Sequence, residues 1–426
     1  MDWQSLMAPL IVPAVKIALL TFGLMTAAAY LVLLERWMAA WVQDRKGPNR
    51  VGIPLTKIKM FGLGQPLADG LKFIFKEEYT PAHVEKVLYI LAPISILAAA
   101  IAVFAVIPFG SVLPIELPGM EGPIQLVVAP QVDVGMIYVF ALSSVAVYGV
   151  ILGGWSSNNK YGFLGALRSS AQLIAYEIPL GLGILGVVLA AGSLRLETII
   201  VEQARSGVWN ALSQPLGFSV FLIAAFAEAA RLPFDLPECE QELIGGYHTE
   251  YAGMKLLLFL IAEFLHMVVA AFLIVILFLG GWHFWGMPVP ADDMVSWPLA
   301  LGRIAVLMAK VMVVILFFMM VRWSWPRFRF DQLMNLAWKV MLPLGLVNLL
   351  AVAIALEYEH VSGKTDTLSG GLITIGIGWA VALVSWVLAA LFAPLHTDNR
   401  PRLDELGSPA FEPQAILNRE PEVTLR

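Results

Sequence analysis

The feature that most limits what this chain can become is a succession of long apolar runs, at approximately 11–34, 87–108, 131–153, 172–191, 216–230, 251–280, 303–321, 340–357 and 370–393. A helix that crosses the hydrocarbon core needs ~20 mostly apolar residues, because each residue rises ~1.5 Å and the core is ~30 Å thick. Backbone groups in lipid must also satisfy one another within the segment. The runs therefore predict an all-α integral membrane protein of about nine transmembrane helices. Composition agrees: 59% of the 426 residues are hydrophobic and 14% are charged, against about 25% charged in soluble domains. No separate soluble domain of ordinary size fits in what remains. The fifth run is short and carries Glu228 near its end, which makes its limits the least defined.

Charge orients the chain. With the N-terminus outside, the segments 36–86, 154–171, 231–250, 322–339 and 394–426 are cytoplasmic and hold 20 of the 27 Lys and Arg residues. The outer loops hold Arg195, Arg205 and Lys364, with Arg303 at an edge, the asymmetry expected of cytoplasmic loops. Met1, Asp2 and Trp3 contain no basic n-region and the first run exceeds a signal-peptide core, so the first helix is expected to stay. The single cysteine, Cys239, precludes an internal disulfide and any iron–sulfur cluster held by this chain alone, since such clusters need about four thiolates.

One cytoplasmic stretch reads as an amphipathic helix starting at Pro66, a residue suited to a first helical turn. Leu67, Gly70, Leu71 and Ile74 share one face and Asp69, Lys72 and Lys76 the other, so the helix is expected to lie on the membrane or against a partner. Two apparent motifs carry no chemistry in this setting. Gly181-x-Gly183-x-x-Gly186 has the dinucleotide-binding spacing but falls inside the fourth spanning run, where small residues serve close helix packing. The pairs Glu263/His266 and Glu357/His360 have di-iron spacing but lie at different depths and lack two further carboxylates, so no metal site is expected. Cys239, beside Glu240, reads as an inert thiol.

Two segments do point to chemistry. Glu35-Arg36-Trp37 and Gln43-Asp44-Arg45-Lys46-Gly47-Pro48-Asn49-Arg50-Val51-Gly52 close the first helix with cations gathered by a Gly-Pro-Asn turn. Plain anchoring accounts for the charge but not for the interleaved Glu35, Gln43 and Asp44. The stretch from Glu228 through Arg231, Pro233, Phe234, Asp235, Pro237, Glu238, Glu240 and Glu242 to Glu250 then sets five acids after Glu228 in a cytoplasmic loop, against the usual charge bias. Carboxylates this close repel and share protons, the outline of a proton relay or cation site; the bland alternative is a solvated acidic loop. Glu177, Glu228, Glu263 and Lys310 fall within spanning runs, where each ionised group costs at least ~2.5–3.5 kcal/mol at the bilayer centre unless paired or wet.

Taken together, these segments, with Gln65-Pro66-Leu67-Ala68-Asp69-Gly70-Leu71-Lys72, Tyr176-Glu177-Ile178-Pro179 and Glu250-Tyr251-x-Gly253-Met254, resemble the quinone-site membrane subunit of bacterial respiratory complex I, the proton-pumping NADH:quinone oxidoreductase. The resemblance covers residues from about 10 to 357. It implies a lateral chamber for a lipid quinone involving Glu35, Arg36, Arg45, Arg50, Asp69, Arg231 and Phe234. It also implies a proton path through Glu177, Glu228, Asp235, Glu238, Glu240, Glu242 and Glu250. NADH oxidation, FMN and the iron–sulfur clusters would belong to partner subunits of the peripheral arm, and other membrane-arm subunits would flank the chain in a bacterial inner membrane, with the C-terminal tail cytoplasmic. The family plan has eight spanning helices, so residues 1–358 would form the family-like membrane domain and 359–426 an extension with a ninth helix. The competing readings are the homologous subunit of an energy-converting hydrogenase, a stand-alone cation transporter, which paired half-sequences would favour, and a structural membrane anchor.

Overall fold

The computed structural model describes residues 3–52, 59, 61–115, 123–236, 244–288, 296–362 and 368–392. Helix α1 (Trp3–Val42) is followed by α2 (Gln65–Phe75) and α3 (Lys86–Val103). A small hairpin of β1 (Val112–Leu113) and β2 (Ile124–Gln125) leads to α4 (Gly135–Ser156) and α5 (Lys160–Ala191). Next come α6 (Leu196–Ser206), α7 (Asn210–Ser213) and α8 (Pro215–Glu228). The chain then forms α9 (Gly253–Phe278), α10 (Trp297–Ser324), α11 (Phe330–Ser362) and α12 (Leu368–Phe392).

Among the described residues, eight helices are long and apolar enough to cross a membrane, the first of them over Ile11–Val42 of α1. The fifth apolar run becomes α8, of 14 residues, about 21 Å at ~1.5 Å per residue and so shorter than a ~30 Å core. The difference from nine full spans arises at Pro215, which opens α8 immediately after the short turn of α7. The architecture is nonetheless that of an all-α integral membrane protein.

Helix α9 is the hub. Its spanning window is 78% buried, and residues Met267 to Phe278 are buried without a break, as suits a helix that is apolar on every side. The others surround it, and α5 packs closely on α8 through small residues. A Cβ at Gly183 would lie 3.1 Å from Phe221 Cβ, and one at Gly186 would meet the side chains of Gln214 and Asn348 at 2.7 and 2.8 Å. Two of the three glycines of the apparent nucleotide motif are thus helix-packing positions, and Gly181 faces open space.

Helix α2 keeps Leu67, Leu71, Ile74 and Phe75 exposed, so within this chain its apolar face is left for lipid or a neighbour. Helix α12 packs on α7, α8 and α11. Its Gly378 sits so near the Ser213 carbonyl that a Cβ would come within 2.2 Å. The helix therefore lies over the break between α7 and α8, where Ser213 and Gln214 interrupt the apolar sequence.

Candidate functional site

The end of α1 places Glu35 inside the protein, 8% exposed. Its carboxylate takes Arg231 Nη1 at 3.1 Å on one oxygen and Arg322 Nη1 at 2.5 Å on the other. Arg231 follows α8 directly and is 3% exposed; its Nε stands 3.1 Å from Glu263 of α9, and its guanidinium lies 4.3 Å from the centre of the Phe264 ring. Two carboxylates and two guanidinium groups from four parts of the chain thus form one compensated cluster. Arginine suits the place because its planar fork can address two carboxylates at once and stays charged when buried.

Glu263 also belongs to a second feature. A cavity of about 70 Å³ between α4, α5, α9 and the end of α8 is lined by Glu177, Glu228, Glu263, Ser143, Ser169, Tyr247 and His266 among others. Ser144 donates to the Glu177 carboxylate, and Ser143 is hydrogen-bonded to Glu228. A polar space of this size accommodates a few waters, each occupying ~30 Å³ in the liquid. Glu263 therefore stands between the ion-pair cluster and a polar cavity that holds two further acids.

Residues 15–353 match the profile of the family described as NADH dehydrogenase. The chain belongs to that family. Among its relatives, an NADH-quinone oxidoreductase H subunit of Geobacter metallireducens is 48% identical over 79% of this chain and 93% of its own. The H subunit of Thermomicrobium roseum is 45% identical over 82% and 96%, and that of Leptospira biflexa 43% over 84% and 97%. The NADH dehydrogenase profile ends at 353, so α12 lies beyond the part that defines this family member.

The other residues singled out in the sequence of this NADH dehydrogenase family member fall into three groups. Arg36 and Asp69 form an ion pair at 2.6 Å, and Gln65 donates to the second Asp69 oxygen at 2.9 Å, so α2 is tied to the end of α1. The Gly-Pro-Asn turn folds back on Trp37, whose indole donates to the Pro48 carbonyl at 2.8 Å. Gly47 is required there, because a Cβ would meet the Trp37 ring at 2.5 Å. Arg45 and Arg50 stay on the exposed surface, with Arg45 bonded to the adjacent Gln43 side chain; the structure does not draw them into the cluster.

Phe234 is packed between Tyr176 and Phe328, its ring centre 5.5 Å from that of Phe328, and Gln172 donates to its carbonyl. Asp235 is ion-paired to Arg327 at 2.9 Å. Glu250 accepts from Asn159 at 2.5 Å and its backbone carbonyl from Tyr89, so it is held at the start of α5, away from the cavity lining. Burial pushes the phenol of the adjacent Tyr251 up to about 12, with its hydrogen bond to Ser156 acting the other way. Glu238, Glu240 and Glu242, with Cys239, lie outside the described residues.

Sequence reasoning missed Arg322 and Arg327, which look like ordinary cytoplasmic anchors, and it placed Glu263 in a helix without its partner. It also grouped Lys310 with the acids as a marker of an ion path. The fold instead directs the Lys310 ammonium to the carbonyls of Leu279, Gly281 and His283 at 2.6, 3.0 and 2.6 Å. All three of its donors are used to cap the C-terminal end of α9, where a positive charge is favoured, and Lys310 does not line the cavity.

Proposed function

We propose that this chain forms the quinone chamber of a bacterial proton-translocating NADH:quinone oxidoreductase and couples quinone reduction to proton movement. The observation that carries the reading is the double role of Glu263, paired with Arg231 on one side and facing the cavity of Glu228 and Glu177 on the other. The names of the relatives, each an NADH-quinone oxidoreductase membrane component, support the same function. The hydrogenase and transporter readings have no comparable support.

In this reading the chain is one subunit among several and supplies no complete active site. A lipid quinone enters beside α1 and α2, with Glu35, Arg36, Asp69, Arg231 and Phe234 around the chamber and Arg45 and Arg50 at its surface edge. FMN and iron–sulfur clusters reside in peripheral-arm partners, which deliver the electrons. Reduction to quinol takes up two electrons and two protons. The charge and proton changes that accompany it alter how Arg231 is divided between Glu35 and Glu263. At ~4 Å and an effective dielectric near 20, one such pairing is worth ~4 kcal/mol before desolvation, enough to change whether Glu263 holds a proton. Glu263 then exchanges protons through the hydrated cavity with Glu228 and Glu177, which pass the effect toward the membrane-arm pump subunits. Asp235, Glu238, Glu240, Glu242 and Glu250 form the cytoplasmic funnel. The chain sits in the inner membrane with its N-terminus outside and its tail cytoplasmic, residues 1–358 being the coupling domain and 359–426 an extension.

The test is to purify the chain with its partners from native membranes in mild detergent. Inhibitor-sensitive NADH:quinone reductase activity, with flavin and iron–sulfur subunits in the preparation, is expected. A lone chain with transport activity, or a hydrogenase in its place, overturns the reading.

A further inference from the structure

The largest cavity is remote from the buried cluster. It is a groove of about 890 Å³ running along α1 from Ile11 to Leu31, walled by α9 and α10 and crossed at one end by the β1–β2 hairpin, near the upper limit of about 300–1,000 Å³ for ligand cavities. Its walls are spanning helices, and Val15 and Leu19 are half or more exposed along it, so it opens sideways to the hydrocarbon of the bilayer. The lining is apolar except at the hairpin end. There Lys16 enters the groove, its ammonium donating to the Val127 carbonyl at 3.0 Å. The side-chain oxygen of Gln125, also in the lining, is buried without a partner among the described residues.

A groove that is polar at one end and apolar along the rest matches an amphiphile, and an ammonium with donors to spare matches an anionic headgroup. The fifteen residues from Lys16 to Leu31 span about 22 Å of helix, more than the ~15 Å half-thickness of a hydrocarbon core, so a whole acyl chain can lie against α1. We propose that this groove holds one anionic phospholipid, its phosphate on Lys16 and its acyl chains lying along α1 toward Leu31. A quinone tail, which has no anionic end, makes no use of Lys16. The bound lipid closes the side of α1 that faces the hairpin. The inference rests on the membrane fold and not on the coupling function.

The test uses the whole complex as purified, stripped of loosely bound lipid and titrated with phosphatidylglycerol or phosphatidylcholine while bound lipid is counted by native mass spectrometry. Losing a charge-assisted hydrogen bond in Lys16→Gln weakens phosphatidylglycerol retention about ten-fold, leaves phosphatidylcholine unaffected, and Lys16→Arg restores it. Gly23 has open space where a Cβ would go and lines the groove, so Gly23→Phe fills the groove and lowers retention of both lipids, with Gly23→Ala as the control for folding. Unchanged phosphatidylglycerol retention in Lys16→Gln overturns the proposal. So does a photo-crosslinker at position 23 that captures a neighbouring subunit or a quinone tail in place of phospholipid.

Discussion

Arg231 and Glu263 meet at 3.1 Å across the gap between the end of α8 and the middle of α9, and the same carboxylate opens on the cavity that contains Glu228. A buried arginine that also holds Glu35 makes the three groups interdependent. Neutralising one leaves the others with an uncompensated charge in a place that water reaches poorly.

Replacement of Arg231 by Met is expected to destabilise the assembled protein by about 3–5 kcal/mol, the usual cost of breaking a buried ion pair from one side. Thermal unfolding of the purified complex measures this. The double variant Arg231→Met with Glu263→Gln should recover part of the loss, because it removes one of the stranded charges; no recovery would show that the two side chains are not energetically coupled.

Glu228→Gln keeps the volume and the hydrogen bond to Ser143 but removes the titration. The expected result in an assembled complex is a lower number of protons moved per electron. Reconstituted vesicles with a pH-sensitive dye and a parallel NADH oxidation assay give the ratio. An unaltered ratio, with quinone reduction intact, removes Glu228 from the proton path.

Helix α12 covers Gln214 and Asn348, both 3% exposed. The Asn348 side chain accepts from the Gly217 amide at 3.0 Å in the first turn of α8, and Gln214 donates to the Gly186 carbonyl. Deleting 368–426, or introducing Gly378→Leu against the Ser213 carbonyl, is expected to expose this break. A Ser213→Cys probe should then react with a membrane-permeant maleimide, and complex yield should fall. Labelling and yield equal to those of the intact protein would mean that α12 does not protect the break.

His283 lies beyond the end of α9. Burial holds its imidazole below the usual range; its ring bond to the Met287 carbonyl acts the other way, and Lys310 and Arg303 deepen the depression. A folded-state value below the unfolded ~6.5 gives a stability contribution that is present above about pH 6.5 and lost as the pH falls below it, since the unfolded chain then binds the proton more readily. Melting temperatures of the complex at pH 7.5 and 5.0 should therefore drop less in His283→Gln than in the unaltered protein. An equal drop in both would assign the acid sensitivity elsewhere.

The membrane class, the order of the apolar helices and the motifs at Glu35-Arg36, Asp69 and Glu228-Ala-Ala-Arg231 were all legible in the sequence, because hydropathy and turn chemistry act over neighbouring residues. The amphipathic α2 was legible for the same reason, to within one residue of its start at Gln65. The two-stranded hairpin at 112–125 was not, since two residues on each side are too few for an alternating pattern to stand out.

Tertiary structure decided which charges meet. Glu35 and Arg231 are 196 positions apart, and their pairing depends on the rotation and depth of α1, α9 and α10, which no local pattern encodes. The same fold turned Arg322 and Arg327 from apparent anchors into partners of Glu35 and Asp235, and used Lys310 to cap a helix end. Sequence determined that this protein lives in lipid and carries acids there; packing determined which of those acids are neutralised by arginine and which face a cavity, because at these distances a shift of one helical turn exchanges one partner for another.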